Sequence, residues 1–365
     1  MKKAPTVFDP ENSVFVIAEI GINHNGLISS AKALIDAAYL AGADAVKFQT
    51  FRPNDLLKAD APKARYQADV TLVNESQLQL LEKVGLSREA HLELVREANA
   101  RGLRFMSTAF DSKSLDFLVR ELDLPILKIP SGEVTNGPLL FEFGKARRPI
   151  IFSTGMSNLA EVKTALSVIA SGLLGLRITT VQGLERVLHD RGVRKVLKEY
   201  VTLMHCTTQY PAAFESVNLR ALESLKAEFG LMVGYSDHTQ GILISAAAVA
   251  CGARVIEKHI TLDRTLPGPD HAASLEPHEF KNLVDSIRMV EVAMGDGIKK
   301  PHLTEIENLE VARKSLVAAH EISAHEKFSA YNLTSKRPGT GKSPMEYWDM
   351  LGKKSNRDYD TDEFI

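Results

Sequence analysis

At 365 residues, 44% of them hydrophobic, the chain can bury the core of one large domain with a small one beside it, and disorder is not its default. Its 44 lysines and arginines are matched by 46 aspartates and glutamates, which leaves no cationic surplus for a nucleic-acid backbone or an anionic membrane surface. With only Cys206 and Cys251 there is no disulfide framework and no CxxC pair for zinc or redox work, so a reducing compartment fits.

The opening MKKAPTVFDPENS lacks the apolar core of a signal peptide, so the expected location is the cytoplasm. Short apolar, β-branched segments then recur, each followed by a longer stretch of helical period. In chain order they are Val14 to Gly21, Asp44 to Thr50, Leu103 to Phe110, Ile126 to Glu133, Pro149 to Gly155, Val201 to Thr208, Leu231 to Thr239 and Arg254 to Thr261. Helices are expected over Ser29 to Ala41, Ser87 to Arg101, Ser112 to Glu121, Leu159 to Ala170, Gly241 to Cys251 and Pro277 to Met294. The longest nearly uniform apolar run, Ile242 to Ala253, is too short to cross a bilayer and reads as a buried helix. Eight β-then-α units close into a (β/α)8 TIM barrel, the competing arrangement being an open doubly wound sheet. Two excursions break the rhythm, at 52–82 and at 171–200, the second partly helical. The barrel domain is expected over 1–294, a polar linker over 295–311 and a small β-rich domain over 312–365.

A TIM barrel does its chemistry where strands end, and these ends are polar: Glu19; Lys47 and Gln49; Thr108; Lys128, Ser131 and Glu133; Ser153 and Thr154; Thr207, Thr208 and Tyr210; Ser236, Asp237 and His238; Glu257 and His259. Strands buried on both faces should be apolar throughout, so these charges need a reason. Lys47 and Gln49 share a strand face, as do Glu257 and His259, so both pairs should point into the barrel mouth. Lys47 and Lys128 with Ser131 and Ser153 look like a pocket for a small polyanion. His238 and His259 end neighbouring strands and suit two ligands of a catalytic metal, although strand-end histidines are also common as satisfied structural residues. Other motifs carry less. Arg337 to Ser343 (RPGTGKS) has Lys336 where a P-loop needs its leading glycine, Cys206 reads as core beside an opposite-facing His205, and Ile22 to Gly26 (INHNG) reads as a turn.

Taken in order, AEIGINHNG, VKFQTF, KIPSGE, FSTGM, HCTTQYP, GYSDHT, EKHIT and PGPDH resemble the sialic acid synthase family, including its legionaminic acid relatives. SLVAAHEI, KRPGTG and SPMEYW resemble the family's C-terminal antifreeze-like (SAF) module, so the resemblance covers nearly the whole chain. It implies a TIM barrel with a SAF domain in a domain-swapped homodimer, each small domain closing the partner's site. It further implies condensation of phosphoenolpyruvate with N-acetylmannosamine to give N-acetylneuraminic acid and phosphate, or with 2,4-diacetamido-2,4,6-trideoxymannose in a legionaminic acid synthase. By matched motif, His238 and His259 would bind Mn2+, or Mg2+ or Co2+, and Lys47, Thr108, Lys128, Ser131, Ser153 and Ser236 would hold phosphoenolpyruvate. Glu19, Gln49, Tyr210 and Asp270 would contact the sugar, and Arg337 would reach its acyl-amino group across the dimer. Thr208 replaces an asparagine that touches phosphoenolpyruvate in some members. Glu19 or Glu133 would assist the water, Glu257 would line the same mouth, and no lysine Schiff base is expected. A metal-dependent sugar isomerase or aldolase would use the histidines without the anion pocket, and a carbohydrate- or ice-binding protein would leave the polar strand ends unexplained.

Overall fold

The computed structural model describes residues 13–58, 61–62 and 76–365. Met1 to Asn12, which weighed against a signal peptide, and residues 59–60 and 63–75 of the first excursion lie outside the described residues. Two compact units divide the chain, Met1–Gly295 and Asp296–Ile365.

The first unit is a closed barrel of eight parallel strands in sequence order: β1 (Phe15–Gly21), β2 (Ala45–Thr50), β3 (Arg104–Ala109), β4 (Leu127–Ile129), β5 (Ile150–Ser153), β6 (Val201–Cys206), β7 (Met232–Asp237) and β8 (Val255–His259). Closure is direct, because β1 pairs with β2 on one side and with β8 on the other. Each expected strand is present and shorter than the segment that marked it, losing residues at one end or both. β4 stops at Ile129 and passes into a 3-10 turn at Ser131–Glu133.

Side chains alternate across each strand, which sorts the barrel into two populations. Outward residues such as Val46, Phe48, Phe105, Phe152 and Leu203 join the large core shared with the surrounding helices. Inward residues Phe15, Ile17, Ala45, Met106, Ile126, Ile151, Met204 and Val255 form a separate apolar cluster that plugs the lower barrel. Gly234 makes room in that plug. A Cβ there would lie 2.4 Å from Met204 Sδ and 2.5 Å from the Val255 carbonyl, closer than any side chain tolerates.

All six expected helices are present, and among the described residues of this unit others lie at Pro53–Leu56, Gln77–Val84, Gly137–Lys145 and Ala221–Phe229. Ser87 caps its helix by accepting from the Ala90 N–H at 3.1 Å, and Glu276 with Glu279 forms a capping box ahead of Pro277–Met294. The 171–200 excursion holds the end of the helix Leu159–Leu174, a 3-10 turn at Leu184–His189 and the helix Arg191–Tyr200. Among the described residues no helix is long and apolar enough to cross a membrane.

The second unit pairs β9 (Ser315–Ala318) with β10 (Leu333–Lys336) antiparallel, over a small core of Leu316, Ala318, Ile322, Phe328, Leu333, Met350 and Tyr359. The stretch expected to be a linker is in fact helical over Leu303–Ala312. Its polar composition concealed a capping box in which His302 accepts from Thr304 N–H and Glu305 accepts from the His302 N–H.

Candidate active site

One step up the same strands from the apolar plug, the inward positions change character. Glu19, Lys47, Thr108, Lys128, Ser153, Cys206, Ser236 and Glu257 ring the barrel mouth and line a cavity of about 400 Å³. Lys47 Nζ lies 2.6 Å from Glu19 Oε2 and 3.7 Å from Glu257 Oε2, and donates to Thr108 Oγ1 at 3.1 Å. Lys128 Nζ donates to Ser153 Oγ at 2.7 Å and lies 3.4 Å from Glu257 Oε1, which also accepts from the Ser236 hydroxyl at 3.0 Å. Gln49 donates to Glu19 Oε1 at 3.4 Å. Buried charge is tolerated because each ion faces an opposite one, since unpaired burial costs several kcal/mol per ion.

The two carboxyls are driven apart. Burial, offset only in part by Lys47 and reinforced by the Glu257 charge, raises Glu19 to about 7. Burial would raise Glu257 too, but Lys128, Lys47 and the Ser236 hydroxyl outweigh it and hold that carboxylate down at about 2. Lys128 is lowered by burial, with the attraction of Glu257 only partly compensating and Lys47 adding repulsion. Lys47 is raised, because Glu19 and Glu257 overcome the burial that opposes its charge. Near neutral pH Glu19 is therefore partly protonated, while the surrounding carboxylates favour the charged form of Lys47.

Above this ring stand the two imidazoles, their centroids 5.6 Å apart, with the Tyr210 ring 4.1 Å from His238 and 5.8 Å from His259. His238 Nδ1 donates to the Thr207 carbonyl at 2.7 Å, which fixes the tautomer and leaves the lone pair on Nε2. Burial lowers His238 to about 4, and burial with the His238 and Lys47 charges takes His259 well below its ordinary value. Both rings are thus neutral at physiological pH. His259 Nδ1 is buried without a hydrogen-bond partner, 3.9 Å from Asp270 Oδ2, whose carboxyl burial raises to about 6. Two neutral imidazoles, one with an unsatisfied buried nitrogen, fit the donor chemistry of a divalent cation. No cluster of three or more His, Cys, Asp or Glu suited to a metal occurs among the described residues, so two protein donors would leave positions open for substrate.

Gly155 sets the depth on the β4–β6 side. A Cβ there would lie 2.5 Å from Thr208 Oγ1, 2.8 Å from Ser131 Oγ and 2.9 Å from Cys206 Sγ, and its N–H donates to Ser131 Oγ at 2.9 Å. On the opposite rim Ile22, Phe51, Leu56, Leu81 and Phe110 form an apolar wall.

Fourteen expected residues therefore share one cavity: Glu19, Lys47, Gln49, Thr108, Lys128, Ser131, Ser153, Thr208, Tyr210, Ser236, His238, Glu257, His259 and Asp270. Glu133 does not line it. The 3-10 turn breaks the strand alternation, and its carboxylate accepts from Asn136 Nδ2 at 2.6 Å. Arg337 belongs to the second unit, exposed just after β10. Cys206, read as core, lines the cavity, with Sγ 3.1 Å from Ser131 Oγ; its position two residues beyond inward Met204 carried the signal. His205 faces outward, its Nε2 2.6 Å from the Val217 carbonyl. His24 is buried in its turn against Phe48 and accepts from the Gly26 N–H at 3.0 Å. Arg337 to Ser343 leads into a 3-10 turn at Pro344–Glu346 and a four-residue helix at Tyr347–Met350, too short for the phosphate-binding helix of a P-loop. A larger open groove of about 970 Å³ lies outside the mouth beside the helix Ser112–Arg120, but its charged lining is mostly solvated.

The NeuB family profile matches residues 34–299. The chain belongs to the NeuB family. This NeuB-family chain is 49% identical to N,N'-diacetyllegionaminic acid synthase of Campylobacter jejuni, over 96% of this chain and 98% of that one. It is 33% identical to human N-acetylneuraminate-9-phosphate synthase, over 94% and 89%. Among solved structures, the N-acetylneuraminic acid synthetase of Leptospira borgpetersenii superposes with a TM-score of 0.68 at 31% identity, covering 82% of this chain and 91% of the other.

Proposed function

We propose that this enzyme condenses phosphoenolpyruvate with 2,4-diacetamido-2,4,6-trideoxymannose to give a legionaminic-type acid and phosphate, N-acetylmannosamine being the alternative acceptor. The observation that carries the reading is the juxtaposition of a two-lysine, hydroxyl-lined anion pocket with two neutral imidazoles in one barrel mouth. The trideoxy acceptor is supported by the legionaminic relative and by the apolar rim, which suits methyl groups better than hydroxyls.

In this mechanism Lys47 and Lys128 neutralise the phosphate and carboxylate of phosphoenolpyruvate, while Thr108, Ser131, Ser153, Thr208 and Ser236 supply hydrogen bonds. Gln49, Tyr210 and Asp270 orient the sugar. His238 and His259 would hold Mn2+, or Mg2+ or Co2+, which when bound polarises the sugar carbonyl oxygen. The methylene carbon forms a bond to the aldehyde carbon, whose oxygen takes up a proton to become a hydroxyl. Water adds to the phosphate-bearing carbon and gives a proton to Glu19, whose raised value suits exchange near neutral pH. As the hydroxyl left on that carbon passes its proton to the departing phosphate, the carbon–oxygen bond to phosphate breaks, leaving the 2-keto acid and inorganic phosphate. Neither lysine bonds covalently to substrate.

The same reading has two copies pairing in the cytoplasm, with the second unit, read as an antiferreeze-like module, bringing Arg337 to the sugar's acyl-amino group in the opposite copy. Phosphate release by the purified chain with phosphoenolpyruvate and Mn2+ tests the proposal. Release strictly dependent on an added aldose, fastest with the trideoxy sugar, is expected. Failure with both sugars, or trapping of a pyruvyl-lysine by borohydride, overturns it.

A further inference from the structure

We infer that the ion pair between Asp237 and Lys258 is a positioning device that sets the separation of His238 and His259, and with it the affinity of the mouth for a divalent cation. It rests on the reading of those histidines given above. Where His238 and His259 turn into the mouth, strand alternation sends the preceding residues, Asp237 and Lys258, to the outer face of the wall. The two are direct partners in the β7–β8 register, one step below the histidines.

Lys258 Nζ lies 3.0 Å from Asp237 Oδ2, and both side chains are 0% exposed. Asp237 Oδ1 accepts from the Thr239 N–H at 2.8 Å and the Thr239 hydroxyl at 2.7 Å, and Oδ2 from the Ser245 hydroxyl at 2.6 Å. Lys258 also donates to the Thr239 carbonyl. The two Thr239 bonds brace the end of β7 on itself, and the others join it to the end of β8 or to the helix Leu243–Ala250 packed behind them.

Stability alone gives this pair little reason to exist. Many outward positions elsewhere in the wall are apolar, Val46, Phe48, Phe152 and Leu203 among them, and the described ion pairs place no other charged pair there. A buried ion pair is commonly matched or bettered by apolar residues of the same volume, because desolvation offsets its attraction. What it has and apolar packing lacks is direction, since one distance and one angle satisfy it. It sits at the one strand junction whose next residues are the two imidazoles, as an outer support that orients ligands.

The test uses the full chain stripped of metal, with Mn2+ affinity read from the free-ion EPR signal alongside phosphoenolpyruvate binding without metal and the melting temperature. Lys258→Met should weaken Mn2+ binding at least tenfold, and Asp237→Asn should weaken it less, with phosphoenolpyruvate binding within twofold of the parent. Arg288→Met, which breaks the Arg288–Asp44 pair at 2.9 Å near the other end of the barrel, should lower the melting temperature and leave Mn2+ affinity unchanged. If Lys258→Met does not fold, Asp237→Asn and Ser245→Ala decide the matter. Parent-like Mn2+ affinity in the variants that fold, or an equal loss in Arg288→Met, overturns the inference alone. A parent chain that binds no Mn2+ overturns the reading of the histidines and the inference with it.

Discussion

The lower and upper halves of the barrel interior are built by the same strands and differ in kind. Below, Phe15, Ile17, Met106, Ile151, Met204 and Val255 pack without a titratable atom. One inward step above, Glu19, Lys47, Lys128 and Glu257 are as deeply buried, each 2–4% exposed. The lower layer is held by shape and the upper by charge balance. Binding energy can therefore be directed at substrate above without loosening the fold below.

The largest effect should come from erasing that difference. Met204→Lys puts an unpaired cation into the plug, and the loss should exceed about 4 kcal/mol, seen in calorimetry as a melting temperature lower by roughly 10 °C or as failure to fold. Lys128→Met, one layer up, should fold and lose activity instead. Removing a charge that acts on the transition state should cut phosphate release about 10³-fold, with a much smaller change in melting temperature. If Lys128→Met proved as unstable as Met204→Lys, the division of labour between layers would be refuted.

Acid should likewise act from the mouth end. His24, in the turn after β1, is lowered to about 4 by burial, aided by repulsion from His91. Its folded value lies below its unfolded value of 6.5, so folding favours the neutral ring. The stability it contributes is complete above about 6.5 and is lost as pH falls toward 4, up to about 3 kcal/mol. His24→Asn should flatten the melting temperature over that window, and an unchanged acid limb would assign the loss to other groups. The smallest effect should be that of Cys206→Ser. Because the smaller hydroxyl keeps a polar contact with Ser131, stability should shift by about 1 kcal/mol or less and KM for phosphoenolpyruvate by only a few-fold.

The sequence carries the barrel clearly, because eight β-branched segments with a polar residue at each end form a pattern that no surface strand produces. Lys47 with Gln49 and Glu257 with His259 could be aimed inward by alternation alone. Alternation fails where a strand ends early, so Glu133, beyond the 3-10 turn, was placed in a mouth it does not line. The opposite error befell Cys206, judged by residue type although the step from Met204 pointed it inward. Asp237 is legible only as one polar strand end among many and Lys258 not at all, because each sits beside a more conspicuous histidine and nothing local marks their contact across two strands. The helix Gly137–Lys145 went unread because Gly137 and Pro138 look like a turn until Asn136 is seen to cap them.

Closure of β1 onto β8 has a consequence for the order of events during synthesis. Glu19 is in register with Lys47 on one side and His259 on the other, residues 28 and 240 positions downstream. A growing chain can form the first of these pairings early, but the ring of charge has no balanced state until the last strand has left the ribosome and docked. Until then the lysines and glutamates of the mouth stay in water. The non-local pairing that completes the pocket is thus also the slow, late step to which assembly of the domain is tied.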